Sequence, residues 1–232
     1  MSREAGKRGS RVVVDILDAL AEAHGRLTEG QGAELMWRDS RSKRLKAIDA
    51  LKIYALKTAP AFEAAVYAGI RLAGPSDEYA QPIRQFARNL GVAFQIVNDL
   101  NDWQSDNHNK MSAGGDAIGG RPTVLWALAL EGLSPEKQDE LLSLVAEDGR
   151  PAAIRVNRVR QLYHEAAVFE KAHRLVDKHQ QRAAAIAQEI EPEPLRRLFH
   201  YLIDVVLDPP TEGVSGQVTP IIPVQLPVVA NP

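Results

Sequence analysis

Gly91-Val92-Ala93-Phe94-Gln95-Ile96-Val97-Asn98-Asp99-Leu100-Asn101-Asp102-Trp103 is a strongly apolar segment crossed by polar side chains. Gln95, Asn98, Asp99 and Asp102 fall at i, i+3, i+4 and i+7, a spacing that groups them on one side of a helix. Phe94, Val97, Leu100 and Trp103 take the neighbouring positions and favour burial, Trp103 as a core residue. Carboxylates pressed into apolar surroundings are costly, or take up a proton, unless a cation balances them. A hard divalent cation suits the pattern, because Mg²⁺ is usually held by one or two carboxylates together with substrate phosphate oxygens. The same spacing also describes an amphipathic helix with a solvated polar face. Taken alone, the stretch permits both.

The rest of the chain shows the same helical periodicity up to residue 207, with no convincing alternating strand. A first helix is expected from Arg11 to about Arg38. Gly30 and Gly32 lie inside it, at a cost of ~1 kcal/mol each relative to alanine, which hints at close helix approach or a ligand. Ser42 to Leu72 reads as a second helix that Pro60 should kink or restart. Ser76 is placed to cap the next turn, ahead of Asp77 and Glu78, and the opening segment then runs in a helix to about Gln104, starting near Pro82. Residues 105–120 have the polar, glycine-rich composition of a loop. Helices follow over Pro122–Glu131, from Ser134-Pro135-Glu136 to Gly149, over Pro151–Ile190 (long, and open to a break), and over Pro194–Leu207 with Leu198, Leu202 and Val205 on one face. From Asp208 onward prolines recur without a single basic residue, so 208–232 reads as a Pro-rich, disordered or surface-lying tail.

Composition excludes several classes. With 232 residues, 45% hydrophobic and 25% charged, the chain can bury a sizeable core. A formal net charge of -2 gives no electrostatic reason to expect nucleic acid or an anionic membrane surface. The absence of cysteine removes disulfides and thiolate metal sites. Arg3, Lys7, Arg8 and Arg11 make a basic start, but Asp15 and Asp18 interrupt the apolar run that a signal peptide requires. No stretch approaches the ~18 to 20 uncharged apolar residues of a membrane span. A soluble cytoplasmic protein is expected.

Further motifs surround the opening stretch. Upstream are Gly30-Gln31-Gly32-Ala33-Glu34-Leu35 and Lys57-Thr58-Ala59-Pro60-Ala61-Phe62, the latter running on to Gly69-Ile70-Arg71-Leu72-Ala73-Gly74. Downstream are Lys110, Gly114-Gly115-Asp116 and Gly120-Arg121-Pro122-Thr123. In order and spacing the set resembles the trans-isoprenyl diphosphate synthases, the polyprenyl synthetase family. There the corresponding elements read G-Q-x-x-D-L, K-T-x-x-L-F, G-x-x-F-Q-x-x-D-D-x-x-D, G-K, G-G-D and G-K-x-T. The resemblance spans about residues 10–207 and implies an all-α, isoprenoid-synthase-type helical bundle, apparently lacking its N-terminal helices. Residues 1–207 would form a partial polyprenyl synthetase domain.

The resemblance also implies a chemistry. The family breaks the C1–O bond of an allylic prenyl diphosphate and lets the carbocation alkylate isopentenyl diphosphate, so charge building on the departing diphosphate must be neutralised. Asn98, Asp99 and Asp102 would then be Mg²⁺ ligands. Lys57, Lys110 and Arg121 would contact diphosphate oxygens, with Thr58 and Gln95 hydrogen-bonding nearby, and Lys57, Asp99 and Lys110 would be the catalytic set. Arg121 stands where the family has Lys, an electrostatically mild change. Three features are assigned to surface or solvated faces: His108, His164 and His173, which lack metal-ligand spacing; Arg155, Arg158 and Arg160; and the Asp15/Asp18 pair.

Residues 1–29, ahead of Gly30, contain no D-D-x-x-D, the family's first aspartate-rich motif. The isopentenyl diphosphate pocket and first metal cluster are therefore expected from a second polypeptide, or the sequence is that of a truncated gene product. In the first case the chain would form a homo-oligomer, or a hetero-oligomer with an N-terminal-half chain. The alternative is a noncatalytic helical subunit that binds and regulates a complete synthase. Asn98 replaces the first Asp of its motif, keeping an acceptor oxygen but losing a charge. Irregular couplers of the family share N-D-x-x-D, and relaxed selection would also produce it. Asn98→Asp is expected to tighten Mg²⁺ binding in calorimetry if the substitution only weakens the site. In an irregular coupler it should change the product distribution instead.

Overall fold

Pro60 decides where the long Ser42–Leu72 segment breaks. In the computed structural model, which describes residues 3–104, 114–145 and 151–207, that segment is two helices, α2 (Ala47–Lys57) and α3 (Ala59–Ala73). Thr58 serves as the last cap of one and the first of the other, and Pro60 sits in the first turn of α3, where its missing N–H costs nothing. They follow α1 (Arg3–Asp39). A 3₁₀ turn at Asp77–Tyr79 leads into α4 (Ala80–Gln104), which carries the aspartate stretch. Beyond lie α5 (Gly115–Ile118), α6 (Val124–Gly132), α7 (Pro135–Val145), α8 (Ala152–Glu165), α9 (Val168–Gln188) and α10 (Glu193–Leu207). The described residues contain no β-strand, and none of their helices is long and apolar enough to cross a membrane.

α4 is the axis of the bundle, packed along α9 and α3, with α1 against α3 and α2. It buries Ile83, Phe86, Leu90, Ala93, Ile96, Leu100 and Trp103, a stripe at helical spacing that faces the core. At its N-terminal end Phe86 meets Phe199 of α10, centroids 4.4 Å apart, in a cluster with Ile83, Leu90 and Ile203. At its C-terminal end Trp103 lies against Tyr163 of α8, centroids 4.9 Å apart. α6 is buried from Val124 through Leu130 with no polar face, so it forms the centre of the larger core cluster. Thr123 caps it by accepting the Trp126 N–H at 3.2 Å.

Several sequence expectations need correction. The break that the sequence left open in Pro151–Ile190 falls at Ala166-Ala167, where Ala167 adopts φ 51° beside the end of α6: a Cβ on Gly132 would stand 3.2 Å from the Ala166 Cβ. Ser76 precedes the 3₁₀ turn but makes no capping bond. On α10 the buried residues are Phe199 and Ile203, whereas Leu198 and Val205 are each 42% exposed. Asp15 is not simply solvated, because it pairs with Arg71 of α3 at 2.9 Å. Arg155, Arg158 and Arg160 are likewise engaged: Arg155 donates to the Leu144 carbonyl, Arg158 forks onto Glu140, and Arg160 lies over Trp103. His164 and His173 are exposed, as expected. The tail from 208, the end of the helix expected to reach Gly149, and His108 lie outside the described residues.

The helix glycines divide by what surrounds them. A Cβ on Gly30 would lie 2.7 Å from the Leu56 carbonyl carbon and the Lys57 nitrogen, and one on Gly91 2.9 Å from the Ala59 nitrogen. These are backbone atoms that cannot step aside, so α1 and α4 both press onto the α2–α3 junction through a glycine. Gly32 has nothing within 4 Å of such a Cβ, so no close approach explains it. Chemical denaturation should therefore separate them. Gly30→Ala is expected to cost ~1–3 kcal/mol through overpacking. Gly32→Ala should stabilise by roughly 0.5–1 kcal/mol through helix propensity.

Candidate functional site

The junction that those glycines clamp brings three motifs together. Glu34, one turn after Gly30 on α1, is buried and its Oε2 accepts from Lys57 Nζ at 2.5 Å. Tyr54, one turn before Lys57 on α2, reaches across to α4. There its hydroxyl donates to Asp99 Oδ2 and accepts the Val124 N–H at 2.7 Å. Thr58 is the hinge residue between α2 and α3. Phe62 of α3 meets Phe94 of α4 edge-on, with centroids 6.0 Å apart.

The four polar residues of the α4 stretch do not share one environment. Asp99 turns inward and is 9% exposed, Asp102 and Gln95 are half-buried, and Asn98 is exposed. Asn98 Nδ2 reaches Gln95 Oε1 at 3.4 Å. Adjacent residues on a helix diverge by about 100°, and on this part of α4 the turn toward the core buries Asp99 and Leu100 and leaves Asn98 on the solvent side.

Beyond α4 the Gly114-Gly115-Asp116 element folds back onto Asp102. Gly114 has φ 78°, and a Cβ there would strike Trp103 at 2.9 Å, so both backbone and space require glycine. Its N–H donates to the Asp102 carbonyl at 3.1 Å, and the Asp116 N–H points at Asp102 Oδ2 at 3.5 Å. Asp116 pairs with Arg121 at 2.8 Å and accepts the Arg121 N–H through its carbonyl at 3.0 Å. Lys110 lies outside the described residues.

Among the described residues, Asp99, Asp102 and Asp116 thus gather negative charge beside Arg121. Burial pushes the Asp99 carboxyl up to about 7. The Tyr54 hydrogen bond opposes that rise, and repulsion from Asp116 and Asp102 adds to it. Burial and the Asp116 charge also raise Asp102, against the pull of Arg121. Tyr54 and Tyr163 are raised by burial and by Asp99, which keeps both phenols protonated. Among the described residues no three His, Cys, Asp or Glu side chains converge into a closed metal site. An oxygen-only, net negative set of this kind nevertheless fits a hard divalent cation whose remaining positions are filled by water or phosphate.

Two concavities among the described residues lie elsewhere. An apolar groove of about 560 Å³ runs between the C-terminal half of α3 and α10, lined by Val66, Gly69, Ile70, Leu195, Leu198 and Leu202. A space of about 310 Å³ between α1, α3 and α4 is crossed by ion pairs, Glu63 with Arg26 and Arg84, and Asp15 with Arg71.

Comparison with known proteins matches the Polyprenyl synthetase family over residues 4–165. The chain belongs to that family. It is 30% identical over 148 residues to the all-trans-nonaprenyl-diphosphate synthase (geranyl-diphosphate specific) of Rhodobacter capsulatus, covering 63% of this chain and 44% of that protein. It is 25% identical over 182 residues to the octaprenyl diphosphate synthase of Escherichia coli, covering 78% and 55%. The chain therefore spans about half the length of these relatives. Its fold matches the geranylgeranyl pyrophosphate synthase of Corynebacterium glutamicum, solved in complex with isoprenyl diphosphate and magnesium. The TM-score is 0.74 at 20% identity, over 85% of this chain and 56% of that one. The all-α isoprenoid synthase fold is thereby shown, as is homology to prenyltransferases.

Motif spacing did not single out Tyr54, and it placed Glu34 and Asp116 in motifs without giving either its partner. A phenol three residues before Lys57 on a predicted core-facing helix was the available signal, because a buried tyrosine hydroxyl needs a partner. The Asp99 environment also sets a pH dependence. A carboxyl raised to about 7 from its ordinary 3.8 binds more protons folded than unfolded between those values. Stability should therefore fall by a few kcal/mol as pH rises from about 4 to about 7, then level off. Thermal melts of Asp99→Asn compared with wild type, in metal-free buffer, should lose this part of the slope.

Proposed function

We propose that the chain takes part in prenyl diphosphate synthesis, the transfer of an allylic prenyl group to isopentenyl diphosphate. In this reading it supplies the second aspartate-rich metal motif and the contacts to the allylic diphosphate. The observation that carries it is the gathering of Asp99, Asp102 and Asp116 beside Arg121, with Lys57 held by Glu34 on the adjoining helix. Asp99 and Asp102 would hold Mg²⁺, with the Asn98 carbonyl oxygen as an outer donor. The ion supplies electrostatic stabilisation of the leaving diphosphate. Lys57 carries three N–H donors, so it can keep Glu34 and still bind a phosphate oxygen. Arg121 can do the same from its bond with Asp116. Thr58, Gln95 and Lys110 complete the proposed diphosphate contacts.

One observation favours the second reading, a noncatalytic subunit that regulates a complete synthase. Asn98 brings no charge where the family motif has Asp, so the site holds one negative charge fewer than two adjacent aspartates would give it. Calorimetry with Mg²⁺ and an allylic diphosphate should show each strengthening the binding of the other, with the effect lost in Asp99→Ala. Equal behaviour of variant and wild type would remove the metal-site reading. Incorporation of radiolabelled isopentenyl diphosphate by the complete assembly then separates the readings. Ligand binding without Asp99-dependent elongation favours the regulatory subunit.

A further inference from the structure

Asp99 is the most deeply buried of the three aspartates of the site, and one described side chain, Tyr54, governs the placement of its Oδ2. Tyr54 is itself only 5% exposed, so bulk water does not compete for its hydroxyl. A phenol has one donor and can accept, and both capacities are used: the proton toward Asp99, a lone pair for the Val124 N–H at 2.7 Å. Val124 is the first residue of α6, and its amide is one that no carbonyl inside the helix can satisfy. The same amide lies close enough to Asp99 to favour its charged form.

The contacts close into a ring. From Asp99 the chain leads one turn along α4 to Asp102, whose carboxylate faces the Asp116 amide. Asp116 holds Arg121 by side chain and backbone. Two residues on, Thr123 caps α6, and Val124 returns to Tyr54. Removing the hydroxyl opens this ring where it links α2, α4 and α6, and leaves every proposed ligand in place.

We propose that Tyr54 is a positioning residue that fixes Asp99 and the Arg121–Val124 turn in one register, so that metal ligand and diphosphate cation are presented together. It works through Asp99 and touches neither metal nor diphosphate. The proposal rests on Asp99 as a metal ligand. Groups that orient a ligand from behind typically change metal affinity by ~10- to 100-fold when removed.

The test uses the full chain, Mg²⁺ and inorganic diphosphate as probe, in calorimetry on wild type, Tyr54→Phe and Asp99→Ala. Tyr54→Phe keeps the ring and should stay folded by circular dichroism. Its Mg²⁺ midpoint is expected to rise ~10-fold, and diphosphate affinity at saturating Mg²⁺ should weaken as Arg121 loses its register. A purely structural tyrosine would lower the melting temperature and leave the midpoint alone. An unmoved midpoint in Tyr54→Phe alongside lost binding in Asp99→Ala overturns the positioning role and leaves the metal site standing. Unchanged binding in Asp99→Ala removes the metal site and this inference with it. Should Tyr54→Phe fail to fold, the wild type still decides. Mg²⁺ with diphosphate should shift the Val124 amide resonance together with those of Asp102 and Arg121, and a silent Val124 among shifted neighbours overturns the proposal.

Discussion

Two helices touch the α2–α3 junction at backbone distance, and the site depends on that contact. Gly30 of α1 and Gly91 of α4 each leave room for Leu56–Ala59 where no side chain would fit. One turn beyond Gly30, Glu34 is thereby delivered to Lys57. Two turns beyond Gly91, Asp99 is delivered to Tyr54. Each reach is made by a side chain of ordinary length, which a helix separation widened by a methyl group would strain. The junction exists because Pro60 cannot continue a helix through itself, so a local rule about one N–H group sets the distance between charges on three elements.

Within that frame, burial separates side chains that motif spacing treats alike. Asn98 and Asp99 are neighbours in sequence, but one faces solvent and the other the core. Burial makes Asp99 reluctant to ionise, and the Tyr54 hydrogen bond partly offsets that reluctance. Asp102 and Asp116 raise the local negative potential further, and Arg121 relieves it only in part. Residual negative charge in a half-buried position is an arrangement that a divalent cation would complete.

Much of the architecture was legible in the sequence because helical periodicity is a local signal. The α4 stripe, the Pro60 break, the first-turn Pro135 and the α6 segment follow from spacing and breaker residues. The break at Ala167 was not legible, since alanine carries no mark of a left-handed conformation that packing beside Gly132 imposes. The inward face of α10 was not legible, because Leu198 and Phe199 are equally apolar and the neighbouring Phe86 decides between them. At the site, the motifs identified the elements that carry charge, but not their pairing. Glu34 with Lys57 and Tyr54 with Asp99 are separated by 23 and 45 positions, and no one-dimensional pattern reports such distances. The engaged arginines of α8 were missed for the same reason.

α6 has no face that water can wet. Its nine residues are too few for a helix to persist alone, and Val124–Leu130 would be insoluble as an exposed surface. It acquires structure only when α2, α4, α8 and α9 close around it, so its opening belongs to global unfolding rather than to local fluctuation. Thr123 and Arg121 are tethered to its first turn. The cationic side of the site is therefore anchored in the most cooperative unit of the fold, and partly unfolded forms lose it as a whole.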